Sequence, residues 1–268
     1  MMIRSLAYDD RRLRDIGGEP LLATMVESAA RCCGMGLVYE FWGVYEGRRD
    51  RVPKGFILQK GHALWATALC PEAVPEIVDF LRWRQEGWVM LCPTLSAAWR
   101  RETGETGLSL AVMALPDTVS LPESHLPEAA YCPDTATAVA DCNLAVVELT
   151  PAQYETAVVN LHLAERRHVG YTVTLRQDGR AVSAAAVTDC GTRYGQISYV
   201  ATLPEYEGQG LGRAVVYRCA EWLRERGRTP LIACETHRES FYAGLGFEQV
   251  SRVTIFGAGQ PEERNEEA

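Results

Sequence analysis

The chain has 268 residues, 47% of them hydrophobic and 23% charged, the make-up of a globular protein with a sizeable core in one large domain or two ordinary ones. Its 27 Lys and Arg face 35 Asp and Glu, a formal charge of −8 that argues against nucleic acid as the main partner and favours cationic ligands, amines among them. The nine cysteines are scattered, with no C-x-x-C pair, so neither a metal site nor a disulfide framework is expected; reduced thiols point to a cytoplasmic protein. No segment approaches ~18 uninterrupted apolar residues, and MMIRSLAYDDRRLRD lacks an apolar core of signal-peptide length, so no membrane partner is expected.

Leu21, Leu22, Met25, Val26, Ala29 and Ala30 recur at helical spacing and predict a helix from Pro20 to Cys33, with Gly34 as its C-cap. Strands are predicted at Leu37–Tyr45, Phe56–Gln59 and Ala63–Leu69. Pro71 opens a second helix with Val74, Ile77, Val78 and Leu81 on its buried face. A strand at Trp88–Leu91, a helix near Thr94–Arg101 and a strand at Leu108–Leu115 follow. Trp42, Trp65, Trp83, Trp88 and Trp99 could line a ligand pocket, but core packing is the simpler use of such bulk. No catalytic constellation stands out here; His62 is a lone histidine at a strand start.

From Pro116 to Cys142 four prolines and many small polar residues break the pattern, and the segment reads as a connection between two units. Leu144–Leu149 is a strand candidate. Thr150-Pro151 then starts a helix, with Thr as N-cap and Pro at the first helical position. Strands at Tyr171–Leu175 and Ala181–Val187 are joined through Asp178-Gly179, a hairpin signal. A strand at Gln196–Thr202 leads into Leu203–Gly212, after which a helix begins near Arg213 and is capped by Gly227. Leu231–Cys234 is a buried strand, Ser240–Leu245 a short helix and Phe247–Phe256 a last strand.

Gly208, Gly210 and Gly212 let the backbone turn its N–H groups inward, and the helix that follows adds free donors and the positive end of its dipole. Such a nest suits a phosphate or pyrophosphate. It is not a Walker A loop, because Arg213 and Ala214 follow Gly212 where Lys and Ser or Thr are needed. A dinucleotide fingerprint would need a parallel βαβ context, and the strands before this loop read as an antiparallel meander.

The run ATLPEYEGQGLGRAVV, with FYAGLGF at Phe241–Phe247, resembles the GCN5-related N-acetyltransferase family, whose loop pattern is Arg or Gln, two residues, Gly, one residue, then Gly or Ala. The pattern falls on Glu207, Gly210 and Gly212, and the resemblance spans Leu144 to Phe256. It implies an α/β fold with a mixed, mostly antiparallel sheet flanked by helices, and acetyl-CoA as co-substrate, without a metal. Val200, Ala201 and Thr202 would run beside the pantetheine arm, and Glu207, Gly208, Gln209, Gly210, Leu211, Gly212 and Arg213 would surround the pyrophosphate. Tyr242 matches the family tyrosine that protonates the leaving thiolate. Two positions depart from the family: Glu207 carries the wrong charge, and Glu235 stands where an Asn is frequent.

An alkyl ammonium must lose a proton before it attacks, which costs about 4.6 kcal/mol at pH 7. Glu235, His237 and Glu165 are the candidate bases, although each reads more simply as an exposed or ion-paired residue. Cys234 is a weaker candidate nucleophile. The first half resembles a degenerate copy of the same fold, with Leu69-Cys70-Pro71 in place of the glycine loop, so only the second copy is expected to bind coenzyme A. The expected layout is residues 1–118 as the degenerate unit, 119–142 as the crossover, 143–260 as the acetyltransferase unit and 261–268 as a disordered tail. The expected activity is N-acetylation of a small-molecule or aminoacyl-type amine by a monomer or homodimer. The alternative is a non-catalytic acyl-CoA sensor.

Overall fold

The computed structural model describes residues 1–32, 39–84, 87–122, 131–132, 136–146 and 150–257. The first half runs β1 (Met2–Leu6), α1 (Pro20–Cys32), β2 (Tyr39–Tyr45), β3 (Gly55–Lys60), β4 (Ala63–Ala68), α2 (Val74–Arg84), β5 (Trp88–Leu91), α3 (Pro93–Thr103) and β6 (Leu108–Ala114). The second runs β7 (Tyr131–Cys132), α4 (Ala136–Leu144), α5 (Pro151–Arg166), β8 (Tyr171–Gln177), β9 (Arg180–Cys190) and β10 (Tyr194–Thr202). It continues with α6 (Leu211–Arg224), β11 (Thr229–Cys234), α7 (Glu239–Ala243) and β12 (Glu248–Phe256). Apart from one extra helix between β7 and β8, the second half repeats the element order of the first.

All twelve strands form one sheet, ordered β1-β2-β3-β4-β5-β12-β6-β11-β10-β9-β8-β7. Each half supplies an antiparallel four-strand meander and then a parallel pair, β4 with β5 and β10 with β11. The last strands are exchanged. β12 lies between β5 and β6, and β6 lies between β12 and β11, all antiparallel. The strand order therefore reads the same from either edge, about an axis between β12 and β6.

The exchange shares the core between the halves. On β6, Val112 and Ala114 pack into an apolar cluster with α2 and α3, while Ala111 and Met113, with Leu115 just past the strand, pack into the cluster beneath α6. Alternate residues of one strand thus serve opposite faces, as the pleat requires. A buried carboxylate adds a polar tie: Glu27 of α1 accepts from the Ile16 N–H (2.6 Å) and from the Thr192 hydroxyl (2.9 Å), linking α1 to the turn between β9 and β10.

Local signals explain most of the elements. Thr150 and Gln153 form a reciprocal capping box at the start of α5. Asp178 (φ 51°) and Gly179 (φ 81°) make the β8–β9 turn with two left-handed residues, as the hairpin signal requires. The C-terminus of α6 closes through Gly227 (φ 65°), with the Arg228 N–H reaching Leu223 O at 3.0 Å.

One element has no counterpart in the sequence reading: Met2–Leu6 is a strand, β1, paired with β2. Three expectations need correction. Leu144 ends helix α4 instead of starting a strand, and Ala145 and Val146 lie in a turn; residues 147–149 fall outside the described residues. The connection 119–142 holds β7 and most of α4, and its start is pinned to α6 by Arg224, which donates to Val119 O and Pro116 O. Trp83 is 77% exposed, whereas Trp99 is fully buried. Gly34 and residues 261–268 lie outside the described residues.

Candidate functional site

The site begins where β10 leaves β11. The two strands pair from Tyr194↔Thr229 to Ile197↔Ile232 and no further. The cause lies on the other edge of β10, where the register against β9 moves from Ser198↔Ala186 to Ala201↔Ala184, one extra residue on β10. This bulge holds Tyr199 at φ 53°, an unfavourable conformation for a residue with a bulky side chain. Asn143 of α4 supports it, donating from Nδ2 to Tyr199 O at 2.9 Å. Beyond the bulge the strands part around a cleft of about 440 Å³, lined in part by Val200, Cys234, Glu235, Arg238 and Tyr242.

Past β10 the chain makes a short 3-10 turn, Pro204–Tyr206, and the Glu207 N–H is used by Pro204 O at 3.2 Å. Gly208 (φ 74°) and Gly210 (φ 80°) then take left-handed conformations that other residues adopt at a cost of ~1–2 kcal/mol. Gly210 is the N-cap of α6, and the first internal bond runs from the Ala214 N–H to Gly210 O at 3.1 Å. Among the described residues, the N–H groups from Gly208 to Arg213 have no acceptor in the chain. Gly212 is helical; a Cβ there would stand 3.1 Å from Thr202 Oγ1, so this glycine serves close packing of helix on strand. Leu211, Val215, Val216, Cys219, Ala220 and Leu223 anchor the helix by burial.

Ala201 is buried, and its carbonyl accepts from Ser183 Oγ at 3.0 Å. Thr202 is half-buried, with its hydroxyl 2.9 Å from Ser183 Oγ. Of this trio, Val200 faces the cleft. Glu207, Gln209 and Arg213 are exposed.

Tyr242, on α7, is 6% exposed and sits edge-on to Phe241 (5.0 Å between centroids) and Phe247 (6.0 Å). Burial, with Cys234 nearby, pushes its phenol up to about 12. It is therefore protonated throughout the neutral range and able to donate. Cys234 is also buried, and burial pushes its thiol up to about 11, which removes the thiolate that a nucleophile would need.

The candidate bases are placed apart. Glu235, at the end of β11, lines the cleft and stands 3.6 Å from His237 Nδ1; both side chains are exposed. Glu165, at the end of α5, accepts a hydrogen bond from the Thr172 hydroxyl and does not line the cleft. Asn143 and Tyr199 escaped the sequence reading. The first lies in a stretch read as connection, and a bulge at a non-glycine residue leaves no compositional mark.

The residues present fit a phosphate-bearing acyl thioester: a row of unpaired N–H groups opens an α-helix, and an unpaired strand edge flanks a cleft that ends at a phenol. Among the described residues no cluster of three or more His, Cys, Asp or Glu could hold a metal, and no helix is long and apolar enough to cross a membrane.

Residues 139–247 match the family model described as Acetyltransferase (GNAT) family. No curated protein sequence matches the chain. Among solved structures, it resembles a tandem GNAT protein from the clavulanic acid biosynthesis pathway (16% identity, TM-score 0.61, 95% of this chain and 97% of that one). It also resembles an acetyltransferase from the GNAT family of Colwellia psychrerythraea (12% identity, TM-score 0.58, 96% and 99%). A third is a GCN5-related N-acetyltransferase from Kribbella flavida (18% identity, TM-score 0.56, 89% and 94%). Residues 139–247 are thus similar to the GNAT acetyltransferase family, in a chain whose two halves together have the fold of a tandem GNAT protein.

Proposed function

We propose that the second half, residues 143–260, is an acetyl-CoA-dependent N-acetyltransferase, joined through residues 119–142 to a first half, 1–118, that binds no coenzyme A. The observation that carries this reading is the succession of three features along one stretch of fold: a cleft lined by the open edge of β10 at Val200 and by the protonated Tyr242, and, where β10 ends, the unpaired N–H row that opens α6, packed on Thr202 at Gly212. The N–H groups from Gln209 to Arg213 would hold the pyrophosphate, each bond to the charged group contributing roughly 1.5–3 kcal/mol. The bound co-substrate would supply a thioester as acyl donor.

The transfer forms a bond from the amine nitrogen to the acyl carbon and breaks the carbon–sulfur bond. Of the two N–H protons lost from an ammonium, one ends on sulfur by way of Tyr242 Oη, and the other passes to a carboxylate or to solvent. Glu235 is the one of the three predicted bases that lines this cleft. The first half supports the contrast by lacking the glycine loop: Cys70 leads directly into the 3-10 turn Pro71–Ala73, and Gly18 packs so tightly that a Cβ would lie 2.7 Å from Leu69 and 3.0 Å from Thr67 Oγ1.

Thiol release from acetyl-CoA across a panel of amines tests the activity. The wild type should turn over, and Tyr242→Phe should lower kcat by about 100-fold or more with little change in acetyl-CoA affinity. Binding of acetyl-CoA without turnover on any amine would make the protein a sensor instead.

A further inference from the structure

A second cavity, about 240 Å³, lies on the other side of the β10 bulge, between the two halves. It shares Ser198 and Tyr199 with the cleft described above, so the two spaces meet at the point where β10 and β11 part. Its walls come from both halves: α1, β2, β3 and β4 from the first, α5, β9 and β10 from the second. A wider recess of about 750 Å³, which shares Lys60, Trp65 and Asn160 with this cavity, opens outward from it.

The walls carry opposite charges. Lys60, at the end of β3, is largely desolvated; its Nζ donates to Asn160 Oδ1 at 2.6 Å and lies 5.6 Å from the centre of the Tyr39 ring. Asp189 projects from β9, opposite Gln196 in the β9–β10 register. The two charges feel each other, and each offsets part of the other's desolvation, yet no described carboxylate lies within 4.0 Å of Lys60 Nζ. Burial raises the Asp189 carboxyl and lowers the Lys60 ammonium from their ordinary values.

Among the described residues, two polar atoms in the same walls have no partner. Trp65 is 6% exposed, and its Nε1–H donates to nothing; Gln196 Oε1 is buried and accepts from nothing. Buried polar atoms are nearly always satisfied, and each orphan costs roughly 1–3 kcal/mol. An orphan donor and an orphan acceptor on one cavity, beside a cation and an anion that do not pair, form the complement of a small zwitterion. At this volume, below the ~300–1,000 Å³ of drug-sized pockets, the occupant is compact.

We propose that this inter-half cavity is the acceptor site, and that the acceptor is a small primary amine that also carries an acidic group, its ammonium toward Asp189 and its acid toward Lys60. The inference rests on the acetyltransferase reading and sharpens it: the first half, inert toward the co-substrate, selects the acceptor through Lys60 and Trp65.

Calorimetry on the full-length protein without acetyl-CoA tests it, with 4-aminobutanoate and 6-aminohexanoate as probes against butylamine, hexylamine and butanoate. Each amino acid should bind at least tenfold more tightly than the amine or acid of equal length. Lys60→Met should bring the ratio of amino acid to alkylamine affinity toward one, and Lys60→Arg should restore it. Asp189→Asn should bring the ratio of amino acid to carboxylate affinity toward one. Equal binding of amino acids and alkylamines by the wild type would overturn the proposal even if the variants fail to fold. So would a ratio that survives in a folded Lys60→Met. Acetyl-CoA titrated in the same series separates the two readings: binding of acetyl-CoA with no preference among the probes sinks this inference alone, whereas no binding of acetyl-CoA sinks the transferase reading.

Discussion

Glu207 is the residue at which this loop departs most from the family pattern, and we propose that its placement makes the departure tolerable. Its N–H is spent on the preceding 3-10 turn, and its side chain projects into solvent, where water and salt screen its charge. Removing that charge should therefore matter little: Glu207→Gln should change the acetyl-CoA dissociation constant by less than about tenfold, or 1.4 kcal/mol. A larger gain in a titration would mean that the carboxylate faces the phosphates. Glu19 is the opposite case. It is buried before α1, accepts from the Leu22 N–H at 2.7 Å through Oε2 and, among the described residues, has no hydrogen-bond partner for Oε1. Burial pushes its carboxyl from 4.5 to about 7, against the pull of the Leu22 and Leu21 N–H groups. Because the folded value is the higher one, its contribution to stability is complete below pH 4.5 and is lost as pH rises through about 7. The loss amounts to roughly 3 kcal/mol. In urea titrations at pH 5 and pH 8, the stability of the wild type relative to Glu19→Gln should fall by an amount of that order. No difference between the two pH values would mean that Glu19 titrates normally. None of this was legible in the sequence, where Glu19 is one acid among many; the loop and Tyr242 were, because their partners lie within a few residues of them. Asn143, Lys60 and Asp189 act through contacts far along the chain, as when Lys60 meets Asn160.

The elements were legible in proportion to the strength of their local pattern. β10, α6 and β11 combine period, glycine and caps in one stretch, and the structure has all three within a few residues of their predicted bounds. α4 has no such signal. ATAVADCNL is rich in small apolar residues on several faces, and its end runs into Ala145-Val146, so the apolar run beginning at Leu144 read as a strand. β1 is a short edge strand with Arg4 and Ser5 in its middle, too short to show alternation. For α6 the decisive local feature is the N-cap at Gly210. A Cβ there meets no atom within 4 Å, so an alanine would act only through the backbone conformation at φ 80°. Gly210→Ala should cost ~1–2 kcal/mol of stability if the loop keeps its shape. If the loop relaxes instead, stability is kept, the N–H row turns away and acetyl-CoA affinity falls. The variant should therefore lose either stability or affinity, read by melting and by titration. Keeping both would mean that the left-handed cap is not required.

At the scale of the whole molecule, the exchanged strands decide how the halves behave. β12 completes the sheet of the first half and β6 that of the second, and the apolar clusters on the two sides take alternate residues of β6. A cut in the crossover would therefore leave each half with an unpaired strand edge and half of a core. Element order suggests two units in succession, whereas the pairing makes one cooperative sheet, and no local pattern announces which strand crosses to which half. Unfolding should reflect the pairing. Five of the six tryptophans, Trp42, Trp65, Trp83, Trp88 and Trp99, belong to the first half and dominate fluorescence, whereas far-UV circular dichroism reports both halves. The two probes should give coincident urea transitions with one midpoint. Val112→Asp on β6 should shift both together, because the unpaired charge would sit in a fully buried position that both halves need. Two separated transitions, or a shift confined to one probe, would show that the halves fold as independent domains despite the exchange.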